Sequence, residues 1–159
     1  MINILYALSV VILTIIDQYS KKAIVSSIEL NEKIRIIPGF FSLTYVRNFG
    51  AGFSILQNAT VFLIVLSAAA IIVLSYMLIK TRKNDLLSII SYLLIIAGAL
   101  GNLIDRVRLG YVVDFLDFLI FGYDFPVFNI ADSYITVGCF LLILQLLMEN
   151  RNAKNRSES

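Results

Sequence analysis

The sequence predicts an all-α integral membrane protein built on four transmembrane helices. Composition and the spacing of apolar stretches carry that prediction. Apolar residues make up 59% of the 159 residues, and mean hydropathy is +0.87. Charged residues make up only 15%, against about 25% in soluble domains. A chain this short cannot hide so much apolar surface from water, so a bilayer is its natural solvent. Four stretches approach the roughly 20 apolar residues that a helix needs to cross hydrocarbon. A single domain is expected over 1–149, followed by a polar cytoplasmic tail at 150–159 predicted to be disordered.

The first span is read from Ile2 to about Val25, its uninterrupted apolar part ending at Ile16. It lacks the basic leader and small-residue cleavage motif of a removable signal peptide. The second runs from Ala59 to Ile79, the third from Leu86 to about Ile104, and the fourth from about Ile130 to Met148. Between the first two, residues 34–37 and 41–46 are rich in β-branched and aromatic side chains and read as short strands. Pro38-Gly39 between them is a turn signal. Phe40 and Phe41 are candidates for dipping into the membrane interface. The stretch Val107–Asn129, between spans three and four, reads as an aromatic-rich loop. There is no internal repeat.

Basic residues set the direction of the helices. Lys80, Arg82 and Lys83 fill the short link between spans two and three, and Arg151, Lys154 and Arg156 follow span four. Both clusters fall on one side, predicted to be cytoplasmic, with both termini there. Lys21, Lys22, Lys33, Arg35 and Arg47 in the first outer loop pull the other way, partly offset by Asp17, Glu29 and Glu32. A net charge of +2 without a basic stripe argues against a nucleic-acid partner. The chain has no histidine and a single cysteine, Cys139, in an apolar run. Histidine-based triads are excluded, an intrachain disulfide is impossible, and neither a metal nor another cofactor is expected. Cys139 reads as a small packing residue.

On this topology the intramembrane polar residues converge. Asp17 and Lys21 lie near the outer end of span one, Asn102, Asp105 and Arg106 near that of span three, and Asn129 and Asp132 at the outer start of span four. Asp114 lies in the loop between the last two. Ionisable groups inside spans are costly and usually functional, and here distant segments place theirs at one depth. Gly98 and Gly101 would let another helix approach closely. Two carboxylates sharing a site repel, so one holds its proton near neutrality while the other activates water. That is the chemistry of peptide hydrolysis by acids alone.

The order and spacing of several short motifs are more specific. Asp-Gln-Tyr-Ser-Lys (17–21), Val-Arg-Asn-Phe-Gly-Ala-Gly-Phe-Ser (46–54), Gly-Asn-Leu-Ile-Asp-Arg (101–106), Val-Val-Asp-Phe (112–115) and Phe-Asn-Ile-Ala-Asp-Ser (128–133) stand in sequence. Together they resemble the five boxes of bacterial lipoprotein signal peptidase, also called signal peptidase II, over roughly residues 1–148. The resemblance implies a membrane aspartic endopeptidase that cuts diacylglyceryl-modified prolipoproteins on the N-terminal side of the lipidated cysteine. It implies an extracytoplasmic β-cradle and a loop helix beside the four spans. It puts the catalytic pair at Asp114 and Asp132, with Asp17, Lys21, Asn48, Gly50, Asn102, Asp105, Arg106 and Asn129 in support. It also implies sensitivity to the cyclic peptide globomycin. A monomer in contact with membrane lipids is expected. Phe49 and Gly52 depart from the family pattern in a loop expected to touch substrate or inhibitor.

Taken singly, the same residues have plainer readings. Asp114 alone reads as a loop carboxylate capping a turn, and Asp132 as helix N-terminal chemistry. Asp105 and Arg106 read as an ion pair, as do Asp17 and Lys21. The asparagines read equally as backbone caps, Arg47 as a snorkelling cation, and Asp117 and Asp124 as solvated loop charges. A proton-coupled transporter would also bury carboxylates but would spread polar groups through the bilayer depth. A non-catalytic scaffold would not need both Asp114 and Asp132.

Overall fold

A computed structural model describes residues 2–50 and 59–157. Its elements are α1 (Ile2–Ser27), β1 (Lys33–Ile37), β2 (Phe41–Asn48), α2 (Thr60–Lys80), α3 (Leu86–Leu109), β3 (Val112–Ile120), β4 (Tyr123–Asp124) and α4 (Ile130–Ser157). All four helices are long and apolar enough to cross a membrane. No helix beyond these four occurs among the described residues, and Gly52 lies outside them.

The helix termini follow local chemistry. Asp85 caps α3 by accepting a hydrogen bond from the Ser88 N–H at 3.1 Å. Gly110 ends it in a left-handed conformation, φ 82°, its N–H donating to the Arg106 carbonyl. α3 therefore runs one turn beyond the expected Ile104. α4 also outruns its expected end at Met148 and continues to Ser157. Extending a formed helix is far cheaper than nucleating one.

α3 is the central helix and packs against each of the other three. The glycines make this possible. A methyl group on Gly98 would collide with the Ala131 carbonyl of α4, and one on Gly101 with the Asp17 carboxylate of α1. Gly138 lies equally close to Ile95 and the Ser91 carbonyl. Gly98→Ala should therefore push α3 and α4 apart and destabilise the protein by about 1–3 kcal/mol, the usual cost of overpacking. Thermal unfolding in detergent would measure it, and an unchanged midpoint would contradict the close approach. The outward faces of α1, α2 and α4 carry large exposed apolar side chains such as Leu8, Val61, Ile72 and Phe140. In a bilayer this is the lipid-facing surface. Cys139 lies on that surface rather than in the packed interior.

The four strands form one antiparallel sheet in the order β1-β2-β3-β4. Its first hairpin turns at Pro38-Gly39, where Gly39 takes φ 74°. The expected strands at 34–37 and 41–46 are present, each slightly longer. The Val107–Asn129 segment is not a simple loop, because it begins as the last turn of α3 and carries β3 and β4. Asp114 accordingly sits on a strand rather than capping a turn. Asp117 is not a solvated charge either. It is buried, accepts the Thr44 hydroxyl at 2.7 Å and pairs with Lys33 at 2.8 Å. Asp124 is exposed. Ile24, Ile28, Tyr45, Val113 and Phe115 form a core between α1 and the sheet. That core fixes β3 against the end of the bundle where the polar residues collect.

Candidate active site

β3 carries Asp114 in register with Val46 of β2, so that its carboxylate lies beside Asn48, two residues along the same strand. Asn48 Nδ2 donates to Asp114 Oδ2 at 2.9 Å, and Asn129 Nδ2 donates to Asp114 Oδ1 at 2.7 Å. The Asn48 oxygen accepts the Gly50 N–H at 2.9 Å, which fixes the direction of its amide.

Asp132 stands in the first turn of α4, where a reciprocal cap holds it. The Asn129 oxygen accepts the Asp132 N–H at 2.9 Å, and Asp132 Oδ2 accepts the Asn129 N–H at 3.2 Å. Asn102 Nδ2 of α3 donates to the other oxygen, Asp132 Oδ1, at 2.8 Å. Asn129 thus touches both acids, one through its side-chain nitrogen and the other through its oxygen and backbone.

Behind these amides lies a buried charge cluster. Lys21 donates to Asp17 at 2.9 Å, to Asp105 at 3.0 Å and to the Asn102 oxygen at 3.0 Å. The Asn102 oxygen also accepts from Asn129 Nδ2 at 3.2 Å. With its oxygen occupied by two donors, Asn102 has only its nitrogen to offer Asp132. Asp17 reaches across to accept the Ala131 N–H at 3.0 Å, so α1 caps α4. Asp105 accepts the Val113 N–H at 3.2 Å and so anchors β3 one residue before Asp114. No buried side-chain polar atom is left without a partner among the described residues.

Asp114, Asp132, Asn102 and Arg106 line one cavity of about 1040 Å³. Its deeper walls are apolar: Leu63, Leu66 and Ala70 of α2, Ile95 and Ala99 of α3, and Ile135 of α4. Burial pushes the Asp114 carboxyl up to about 7, and the nearby Asp132 charge adds to the rise, against the lowering effect of its two asparagine donors. Two acids, one of them protonated near neutrality, therefore face a single space that is polar at one end and greasy at the other.

The model of the signal peptidase (SPase) II family matches residues 9–148. The chain belongs to that family. A lipoprotein signal peptidase of Streptococcus thermophilus is 48% identical over 92% of this chain and 96% of its own length. One from Staphylococcus aureus is 41% identical over 92% of this chain and 90% of its own. A solved structure described as a bacterial membrane enzyme superposes with a TM-score of 0.87 at 41% identity, covering 92% of this chain and 90% of the other.

The residues singled out from sequence meet at one end of the bundle. Asn48, Asn102 and Asn129 bond directly to one or both acids. Asp17, Lys21 and Asp105 stand one contact further back. Arg106 lines the cavity and donates to the Gly50 carbonyl at 2.9 Å. The expected Asp17–Lys21 pair is present, but the expected Asp105–Arg106 pair is not formed. Asp105 faces Lys21, while Arg106 faces the Gly50 carbonyl. Arg47 is exposed, its guanidinium 4.9 Å from the centre of the Tyr111 ring. Phe49 packs on the same tyrosine at 5.5 Å between ring centroids. Sequence reading passed over Gln18, which donates to Asp17, to Asp105 and to the Gly101 carbonyl at 3.2, 2.9 and 3.1 Å. The available signal was a polar amide inside a spanning helix, beside an acid.

Proposed function

We propose that Asp114 and Asp132 are the catalytic pair, with Asp114 as acid and Asp132 as base. The enzyme is an aspartic endopeptidase of the signal peptidase II type, and it removes signal peptides from prolipoproteins. The observation that carries the residue assignment is the shared cage, in which Asn129 bonds to both carboxylates and both acids line one cavity. Asp132, held in the first turn of α4 by the Asn102 amide and the Asn129 N–H, is the partner acid in the same cavity. It takes a proton from water as the water oxygen attacks the scissile carbonyl. Asp114 gives its proton to the carbonyl oxygen. Collapse of the tetrahedral intermediate breaks the C–N bond: the departing nitrogen takes the proton held by Asp132, and one hydroxyl of the intermediate returns its proton to Asp114 as the new carboxyl forms.

The apolar depth of the cavity suits a substrate with a greasy portion, such as a diacylglyceryl-modified precursor cut N-terminal to its lipidated cysteine. Asn48, Asn102 and Asn129 hold the acids, while Asp17, Lys21 and Asp105 hold the asparagines and the ends of α4 and β3. Arg106 holds the backbone at Gly50, two residues beyond β2, through its carbonyl. The protein resides in the bacterial cell membrane. The basic flanks Lys80, Arg82, Lys83 and Arg151 put both termini in the cytoplasm and the acids on the extracytoplasmic side. Globomycin-type inhibitors would occupy the same cavity, and a monomer in lipid is sufficient for all of these contacts.

Purified protein supplied with a diacylglyceryl-modified precursor peptide should release the signal peptide and leave the lipidated cysteine as the new N-terminus. Mass spectrometry of the products decides the cut site, and cleavage at another bond would reject this assignment. The rate should fall as pH rises above about 7, because Asp114 then loses the proton it must donate. A rate that instead climbs through that range would reverse the two roles.

A further inference from the structure

We infer that the far end of the sheet, where its two hairpin turns meet, inserts into the lipid headgroup region beside the helix bundle and anchors the sheet there. The turn between β1 and β2 and the turn between β3 and β4 lie side by side. The Leu119 N–H donates to the Phe40 carbonyl at 2.8 Å, and the Phe40 ring meets Phe118 edge-on at 5.5 Å. The two turns and their flanks expose Ile36, Ile37, Phe40, Phe121 and Tyr123 together. Phe41, the other candidate for the interface, is instead packed against Phe118 at 4.7 Å.

Phe121 is the decisive residue. The residue is fully exposed, at 107% of its reference area. Its backbone takes φ 50°, followed by Gly122 at φ 81°. Consecutive left-handed residues make the tight hairpin turn that favours asparagine followed by glycine, and a bulky ring at the first position is a steric outlier. The sequence therefore tolerates backbone strain to present an aromatic ring that touches nothing in the protein. Strain of this kind points to a function for the residue that bears it.

The bilayer is the partner the fold supplies. Short links tether the sheet to the helices: β1 starts six residues after α1, and β3 three residues after α3. β2 spans eight residues, about 27 Å at the rise of an extended strand. One end of the sheet meets the site at Asn48 and Asp114, so the tip stands about a strand length away, and its insertion requires the sheet to lie along the membrane surface. Exposed aromatic rings at that level partition into the membrane interface. The lipid-facing surface of the helices would then continue onto the sheet, giving the strands that carry Asn48 and Asp114 a second support.

The chain contains no tryptophan, so Phe121→Trp introduces a single fluorescent indole. In lipid nanodiscs its emission should be blue-shifted and resist acrylamide. Brominated phosphatidylcholine should quench it as strongly as it quenches Phe62→Trp on the lipid-facing side of α2. Lys83→Trp, in the link between α2 and α3, supplies the water-exposed reference. Emission quenched by acrylamide like that of Lys83→Trp, and indifferent to brominated lipid, would overturn the inference. So would shielding from acrylamide without bromolipid quenching, because another protein surface would then cover the tip. Phe40→Trp gives a second reporter in the neighbouring turn. Adding Phe121→Asn to that variant keeps the turn and removes the ring, and acrylamide quenching of the Phe40→Trp indole should then increase.

Discussion

Replacing either Asp114 or Asp132 with asparagine should slow precursor cleavage by a factor on the order of 10⁴, the upper end of what a positioned acid or base contributes. The substitution keeps shape and removes the titrating oxygen. In Asp114→Asn, the new amide nitrogen must face one of two donors, Asn48 Nδ2 or Asn129 Nδ2, both of which now point at carboxylate oxygens. In Asp132→Asn it must face Asn102 Nδ2 or the Asn129 N–H. Each variant therefore trades one hydrogen bond for a clash of donors, costing about 1–3 kcal/mol.

For Asp114 that loss is offset at neutral pH and above. The buried carboxyl is raised from 3.8 to about 7, so between those values the unfolded chain gives up a proton that the folded one keeps. Folding stability then declines as pH rises through that window, and Asp114→Asn removes the decline. Single-turnover cleavage and thermal midpoints at pH 5 and pH 8 separate the two effects. If Asp114→Asn or Asp132→Asn processed precursor at the parent rate, the catalytic assignment would be lost. Asp124→Asn, at an exposed position on the same sheet, should leave cleavage unchanged.

The helices were legible because a bilayer imposes a length on any apolar segment that crosses it, and no tertiary contact overrides that demand. The convergence of polar residues was legible for a related reason: with direction fixed by basic flanks, position along a helix becomes depth. β3 was not legible. Val112, Val113, Asp114 and Phe115 are all buried, so the strand shows no alternation of inside and outside residues, and periodicity had nothing to register. Asp117 looked solvated because its partners, Thr44 and Lys33, come from strands more than 70 residues earlier. The Asp105–Arg106 pairing failed on helix geometry. Adjacent residues project about 100° apart, so one side chain meets α1 while the other meets Gly50. The asparagines were identified from motif order, but only the hydrogen-bond directions show which oxygen each amide holds.

Those directions make Lys21 the residue whose loss should propagate furthest without touching either acid. Lys21→Met keeps similar length and removes the charge. Asp17 and Asp105, both almost wholly buried, would face each other without a cation. Breaking a buried ion pair by removing one partner costs about 3–5 kcal/mol, so the thermal midpoint in detergent should drop sharply. The Asn102 oxygen would also lose one of its two donors, freeing the amide to turn its nitrogen away from Asp132. Adding Asp17→Asn to Lys21→Met removes one stranded charge and keeps an oxygen for the Ala131 N–H, so much of the stability should return. Cleavage measured well below the midpoint should stay depressed in the double variant, because the Asn102 amide is still held from one side only. Recovery of rate together with stability would mean that Lys21 acts solely as a structural counterion. A parent-like midpoint in Lys21→Met alone would mean that the cluster behind the acids is not held by its charge.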